Sequence, residues 1–371
     1  MSIDLNWNSL LEQRNLLPAG AFVKNTHVNC PFCGKKKFRL WQQKGNGFWI
    51  CTCGSGNGLN LYAKLSGQSE GDVLRQIRTG KFTEFGSGGR IAAPVVRSLS
   101  EDEIKQNKER LSFIRRKCVA VKPNDPVWRY LESRVSFLDI GKLSTKNIFF
   151  HPRLQHLSTD AESGEVVKTY HPAMILVVRG TNGAVTLHRT YLNHKGGKAQ
   201  VEEPKKLCSG IELLNGHYVD VCEGIENCRI IAVGEGFETM AGVSIAHGYL
   251  IKVRSYINAN ELARAQGITP ADFDKVIIYE DHDKLCPRRN VRPGNHAGAQ
   301  LQSRLLQLGF APSQIVRRSP KVEKTDWLDV WQDATSKMGN FLGKLAYQSY
   351  LNKSDDPFGI IEKMLEMENG A

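Results

Sequence analysis

Two sets of residues in this 371-residue chain have the types and spacing to do chemistry. The first is acidic: Ile230-Ile-Ala-Val233 runs into Gly234-Glu235-Gly236-Phe-Glu238-Thr239, and Val276-Ile-Ile-Tyr279 delivers Asp281-His282-Asp283. Each acidic set begins where a short apolar run stops, so both are expected at the carboxyl edge of one parallel sheet, where open α/β sheets bind ligands. Glu235, Asp281 and Asp283 converging there would repel one another without a cation between them. Hard oxygen donors suit Mg2+ or Mn2+, and the chemistry implied is metal-dependent phosphoryl transfer. Taken singly, each motif reads equally well as a polar loop. Their order, each after an apolar run, favours the site. His282 between the aspartates is expected to be a solvated loop residue.

The second set is sulfur. Cys30-Pro-Phe-Cys33-Gly and Trp49-Ile-Cys51-Thr-Cys53-Gly place two cysteine pairs about a hairpin apart, as in zinc ribbons. Each pair is followed by Gly, which lets backbone amides turn toward sulfur. His27 could replace one thiolate, and a disulfide pair or free buried cysteines are the alternatives. No apolar leader precedes them and the other five cysteines are scattered, so a reducing cytoplasm and Zn2+ are expected. From Gln13 to Ser69 there is no Asp or Glu, while Lys24, Lys35, Lys36, Lys37, Arg39, Lys44 and Lys64 interleave with aromatic residues. Such a surface suits phosphates and unpaired bases. Lys35, Lys37, Arg39 and Trp41 are the expected contacts, with Phe48 and Trp49 as packing.

The elements that must hold these groups read as an alternating α/β series. After the Glu235 turn a helix is expected over 237–242, a strand over 250–253, a helix over 258–266, the 276–279 strand, a helix over 297–308 and a closing strand over 314–317. Ahead of them, Ser100 and Glu103 form a capping box for a helix reaching about Val119, and Pro126 opens another. Ala173–Val178, a Gly180-Thr-Asn-Gly183 turn and Ala184–Leu192 read as a β-hairpin. Phe85-Gly-Ser-Gly-Gly89 reads as a hinge. In the tail, Phe341, Leu345 and Tyr350, then Phe358, Ile361, Met364 and Leu365, form helical stripes that pack on the core or dock on a partner.

Net charge of +12 favours polyanions, 41% hydrophobic content supports real cores, and no apolar run is long enough to span a membrane. The P-loop pattern is absent, so no helicase motor is expected within the chain; Gly343-Lys344 is followed by Leu and is no substitute.

Glu-Gly-Phe-Glu-Thr, Asp-His-Asp, Gly294-Asn-His-Ala-Gly-Ala and Lys324-Thr-Asp326-Trp327-Leu-Asp329-Val resemble the TOPRIM domain of phage and plasmid DNA primases. Cys-Pro-Phe-Cys-Gly, Phe38-Arg39 and Cys53-Gly-Ser-Gly-Asn-Gly-Leu-Asn-Leu61 look like the zinc-binding module that precedes it in that family. Lys37 and Asn57 stand where the family usually has acids, which makes this module more cationic. The resemblance implies a TOPRIM-type parallel sheet flanked by helices, preceded by a mixed α+β segment and a zinc ribbon. It also implies Glu235 as general acid/base or metal contact, Asp281 and Asp283 as Mg2+ ligands, and a further acidic motif at Asp326 and Asp329 of open role. Arg189, Lys198 and Lys206 would hold triphosphate or template, although a solvated hairpin explains any one of them.

The expected division is 1–84 zinc ribbon, 85–97 linker, 98–225 helical then β-rich first half of the core, 226–331 TOPRIM domain and 332–371 helical tail. The implied activity is primer synthesis from ribonucleoside triphosphates on single-stranded DNA in a bacterial host cytoplasm, with a separate replicative helicase as possible partner. A TOPRIM nuclease and a silent single-strand-binding module are the alternatives. Glu223-Gly224 echoes the Glu235 motif, but it follows no comparable apolar run.

Overall fold

The computed structural model describes residues 6–14, 16–23, 26–41, 47–79, 99–159, 166–286, 290–338 and 357–369. The chain divides into two compact units, Met1–Ser98 and Leu99–Ala371. The hinge expected at 85–89 lies outside the described residues, as do Phe341, Gly343, Lys344, Leu345 and Tyr350.

In the first unit, helix α1 (Trp7–Gln13) precedes a three-stranded antiparallel sheet of β1 (Arg39–Trp41), β2 (Phe48–Cys51) and β3 (Gly54–Gly56), followed by α2 (Gly58–Ser66) and α3 (Glu70–Arg78). Period-two alternation sorts the side chains. Leu40 and Trp49 face inward and join Leu11, Phe38 and Leu61 in the core. Trp41 pairs with Phe48, and Arg39 with Ile50, on the outward face. Phe48 is 45% exposed, so it belongs to the surface and not to the packing expected of it.

The second unit opens with α4 (Glu101–Arg116), whose Ser100–Glu103 capping box is formed, and α5 (Pro126–Arg134), capped by Asp125. Helix α4 stops short of Val119, whose backbone instead exchanges hydrogen bonds with Phe150. Strands β4 (Ile148–Thr159), β5 (Val166–Gly180), β6 (Gly183–Tyr191) and β7 (Lys205–Leu207) form an antiparallel sheet in sequential order. Then come β8 (Val219–Cys222), β9 (Ile230–Gly234), α6 (Phe237–Ala246), β10 (Lys252–Ser255), α7 (Ala259–Ala263) and β11 (Lys275–Tyr279). Helix α8 (Pro293–Gln307), β12 (Ile315–Arg318), α9 (Trp327–Met338) and α10 (Pro357–Asn369) complete the unit.

The second sheet runs β12-β11-β9-β10-β8; β8 is antiparallel to β10 and the other pairs are parallel. Strand β8 has no counterpart among the expected elements, and it moves the expected boundary at 225/226. It sits at the edge of this sheet, and Val219 and Val221 share one apolar core with Met174 and Leu176 of the antiparallel sheet and with α5, α6, α9 and α10. The segments 98–225 and 226–331 are thus one body, and α9 runs across the expected 331/332 boundary. The other face of the parallel sheet packs Ile231, Val233, Val276 and Ile278 against Leu262 of α7 and Leu301 and Leu305 of α8. Every residue of α6 is buried, as expected of a helix apolar nearly all round.

Two elements differ in extent for identifiable reasons. Gly248 and Tyr249 take positive φ, so strand β10 begins at Lys252 and not Leu250. Helix α7 ends at Ala263 because tertiary partners take the backbone of Gln266: its N–H donates to Gly216 and its carbonyl accepts from Tyr256. Among the described residues no helix is long and apolar enough to cross a membrane.

Candidate active site and zinc-binding module

The cysteines come together as the sequence proposes. Cys30 and Cys33 lie on a tight turn in which Gly34 N–H donates to Cys30 O and Phe32 N–H points at Cys30 Sγ; Gly34 takes φ +72. Cys51 ends β2 and Cys53 precedes β3. The four Sγ atoms lie within 4.8 Å of one another, with Cys30–Cys53 at 3.5 Å and Cys33–Cys51 at 3.7 Å. A tetrahedral ion with sulfurs at ~2.3 Å needs sulfur–sulfur separations of about 3.8 Å, so the donors fit Zn2+. Their titration agrees. The Cys53 backbone N–H holds the Cys51 thiol down to about 6, while Cys33, burial and Cys30 push Cys53 up to about 12. Crowded thiols deprotonate one at a time unless a cation joins them. His27 is not in the group.

Around this cluster the predicted template contacts are exposed or half-buried. Arg39 stacks over the Trp41 ring at 5.0 Å, beside Phe48, while Lys35 and Lys37 project from the knuckle turn.

In the second unit, β9 and β11 are parallel neighbours in register, Gly234 opposite Tyr279, so the segments after them emerge side by side at the carboxyl edge. Glu235 follows Gly234 directly. A Cβ at Gly234 would come within 2.4 Å of Met240 Sδ and 2.8 Å of Tyr279 O, so only glycine lets the chain turn here. Ser255 Oγ donates to Glu235 O at 2.5 Å and fixes that turn.

Asp281 and Asp283 are packed against the start of α8. Gly294 N–H donates to Asp283 Oδ2 at 2.7 Å, and a Cβ on Gly294 would sit 2.5 Å from Asp281 O. His282 turns away: Nδ1–H donates to Pro320 O at 2.7 Å and its backbone bridges Thr325. It is pinned and half-buried, not the solvated residue expected. Asp326 and Asp329 cap the start of α9 and also lie close enough to act on the rim carboxylates. Asp326 Oδ1 accepts from the N–H groups of Leu328 and Asp329, Asp329 Oδ2 accepts from Asp326 N–H, and Thr239 donates to Asp326 Oδ2.

These carboxylates act on one another. Burial first, then Asp283 and Asp326, raise Glu235 to about 7 against a lowering contact from the Ala259 backbone. Burial, then Glu235, Asp326, Asp283 and Asp329, raise Asp281 to about 8. Glu235 Oε1 and Asp281 Oδ1 are buried without a hydrogen-bond partner. Buried anionic oxygens with no donor are what a divalent cation would satisfy, and hard carboxylate oxygens fit Mg2+ or Mn2+. The donor chemistry of this rim therefore suits such an ion, although among the described residues only the four cysteines are gathered tightly enough to enclose one.

The cationic candidates separate by strand register. Lys206 pairs with Arg189, whose ring-stacking partner Tyr191 packs under α4 in a different core from α6. Arg189 and Lys206 are thus on the sheet face away from the carboxylates. Lys205, one residue earlier, faces the other way, and its Nζ reaches Glu238 in the first turn of α6 at 2.8 Å. Tyr130 Oη donates to the same carboxylate at 2.6 Å. Burial works against the Glu238 anion, but Lys205 and Tyr130 hold its pKa down at about 2. Lys198 lies in the same neighbourhood; burial, then Lys205, lower its pKa while Glu238 raises it.

Glu280, missed in the sequence, is 2% exposed and forms an ion pair with Arg317, with Asn295 donating to it at 2.9 Å. It braces the loop carrying Asp281. Glu223 is occupied by Lys252 and Ser144.

Family models match two segments: residues 25–59 match the zinc-binding domain of primase-helicase, and residues 105–218 match a domain of unknown function (DUF7146). Among solved structures, the chain is similar to the Aquifex aeolicus primase (zinc-binding and RNA polymerase domains) at 14% identity, covering 94% of this chain and 86% of that one, TM-score 0.40. It is similar to a DnaG primase catalytic domain bound to single-stranded DNA at 13% identity, covering 66% and 80%, TM-score 0.39. The primase fragment of the bacteriophage T7 primase-helicase protein matches at 12% identity, covering 91% and 98%, TM-score 0.30. Over residues 25–59, where the four thiols are gathered, the chain matches the zinc-binding domain of primase-helicase.

Proposed function

We propose that the chain is a DNA primase with a TOPRIM-type catalytic half, building short RNA primers on single-stranded DNA from ribonucleoside triphosphates. The observation that carries this reading is the pair of buried, partnerless oxygens on Glu235 and Asp281 at the carboxyl edge of a parallel sheet. The primase-type zinc module in the same chain supplies the class of substrate.

A divalent cation held by Asp281 and Asp283 would, when bound, neutralise phosphoryl oxygens and acidify a nearby hydroxyl. Glu235, held near neutrality, is matched to accept the proton of the 3′ hydroxyl. That oxygen bonds to the α-phosphorus, the bond from phosphorus to the bridging oxygen breaks, and pyrophosphate leaves. Lys198, with Lys205 and Arg134 near it, supplies positive charge for the triphosphate. Arg189 and Lys206 drop out of that role because they face the other side of the sheet. Trp41, Phe48 and Arg39 form a surface on which template bases can stack. Under this reading the protein works in a bacterial cytoplasm beside a separate helicase.

The test is incubation of the purified protein with ribonucleoside triphosphates, Mg2+ or Mn2+ and a panel of short single-stranded templates. Labelled oligoribonucleotides are expected. No product on any template would overturn the proposal, and strand degradation without nucleotides would assign a nuclease instead.

A further inference from the structure

Helix α4 is unusual in how little it buries: of its sixteen residues only Ile114 is enclosed, and Asn107 ties it to the Gly210 carbonyl at 2.8 Å. Held so lightly, it leaves a cleft of about 940 Å³ against the outer face of the antiparallel sheet, the face opposite the carboxylates. Lys105, Lys108, Arg115 and Arg116 line it from the helix, and Lys146 and Arg179 from the strand side. Among the described residues Glu109 is the one acid in its lining. Beneath the cations the floor is aliphatic, formed by Leu111, Val177 and Leu187.

Two of the cations are held in place. The Arg115 guanidinium lies over the Phe149 ring at 3.5 Å, and Arg179 Nε donates at 2.7 Å to Asn147, a buried amide anchored in turn by Ser144 and the Asp220 carbonyl. Along α4 the positions 105, 108, 112, 115 and 116 share one face and span about 16 Å at 1.5 Å per residue. A row of like charges of that length with a single acid is complementary to a linear polyanion. An acidic peptide would match the rim charge as well. Val177, Val185 and Leu187 are all below 7% accessible, and Leu111 and Ile211 are half-buried, so no aliphatic side chain of the lining stands exposed as an anchor. That favours a ligand held by repeated charge over one held by inserted apolar side chains.

We propose that this cleft is a second single-stranded nucleic-acid track, separate from the catalytic face, which grips the phosphate backbone without reading sequence. It does not depend on the catalytic reading, because it concerns binding alone. The test uses the full zinc-loaded chain carrying Lys105→Gln, Lys108→Gln, Arg116→Gln and Lys146→Gln, all exposed positions, with circular dichroism confirming the fold. Affinity for a thirty-nucleotide oligothymidylate is measured from low to moderate salt. Each phosphate left without its cation lowers the slope of log affinity against log salt by roughly 0.7, so a slope shallower by about 2 to 3 and affinity down at least about tenfold at low salt are expected. Glu109→Lys should act oppositely and tighten binding. An unchanged slope in the fourfold variant, or weaker binding in Glu109→Lys, would overturn the proposal. So would a polyglutamate peptide whose binding vanishes in the fourfold variant while oligothymidylate binding stays.

Discussion

The cysteine cluster and the carboxylate cluster solve the same problem in opposite ways. Both gather groups that repel when ionised. The four sulfurs are drawn within 4.8 Å of one another by a short knuckle and a strand end, so the set can be complete with one ion. Among the described residues no carboxylate group is drawn together as tightly. Glu235 and Asp281 instead keep buried oxygens without partners, and their pKa values are pushed up to about 7 and about 8. A closed donor set suits a structural ion; a looser one leaves coordination positions for substrate oxygens. On the proposed reading, the first ion would hold a fold and the second would be shared with a reaction.

The sharpest way to break this contrast is to remove zinc. Structural zinc sites bind with on the order of 10 kcal/mol or more, so chelation or Cys33→Ser should unfold the first unit while the second keeps its own transition by calorimetry. A first unit that melts unchanged without zinc would make the cysteines ordinary core residues. Next in size, Asp281→Asn and Glu235→Gln should each lower primer synthesis by roughly 10²–10⁴-fold while leaving the fold intact, since groups acting on developing charge are worth that much. Retained synthesis in both would move the reaction elsewhere.

A smaller effect separates two adjacent lysines. Lys205→Ala leaves Glu238 buried without its cation and should cost about 3 kcal/mol, the low end for a broken buried pair because Lys205 is itself 38% exposed. Lys206→Ala removes an outer pair with Glu203 and a long hydrogen bond to the Leu157 carbonyl, and should cost about 1 kcal/mol or less. Urea melts of the two variants that coincide would show that the register argument is wrong.

The smallest expected effect is in pH. Asp281 and Glu235 bind protons more tightly folded than unfolded, so their contribution favours the folded state in acid and is lost as pH rises from about 4 through about 8. Without metal, wild-type melting temperature should therefore fall more steeply across that window than that of Asp281→Asn. Identical slopes would mean that the aspartate is not strained by its neighbours.

The acidic motifs were legible because a buried parallel strand is a continuous apolar run, and the residues after it must emerge at the sheet edge. The zinc knuckles were legible because ligand spacing is covalent. Phe48 was also readable in principle: with Cys51 pointing toward the ion, alternation puts Trp49 inward and Phe48 and Ile50 outward. The choice between Lys205 and Lys206 was not readable, since a three-residue strand carries no pattern of its own and a slip of one residue reverses its faces. Strand β8 and the Glu280–Arg317 pair depend on partners more than thirty residues away, which local sequence does not name.

The most direct test of the central claim is Mn2+ binding to the zinc-loaded chain, followed by electron paramagnetic resonance, in wild type and in Asp281→Asn. Binding of Mn2+ that Mg2+ displaces in the wild type, weakened at least about tenfold by the substitution, is the predicted result. Equal Mn2+ affinity in both proteins, or none in either, would contradict a cation centre at the carboxylate rim.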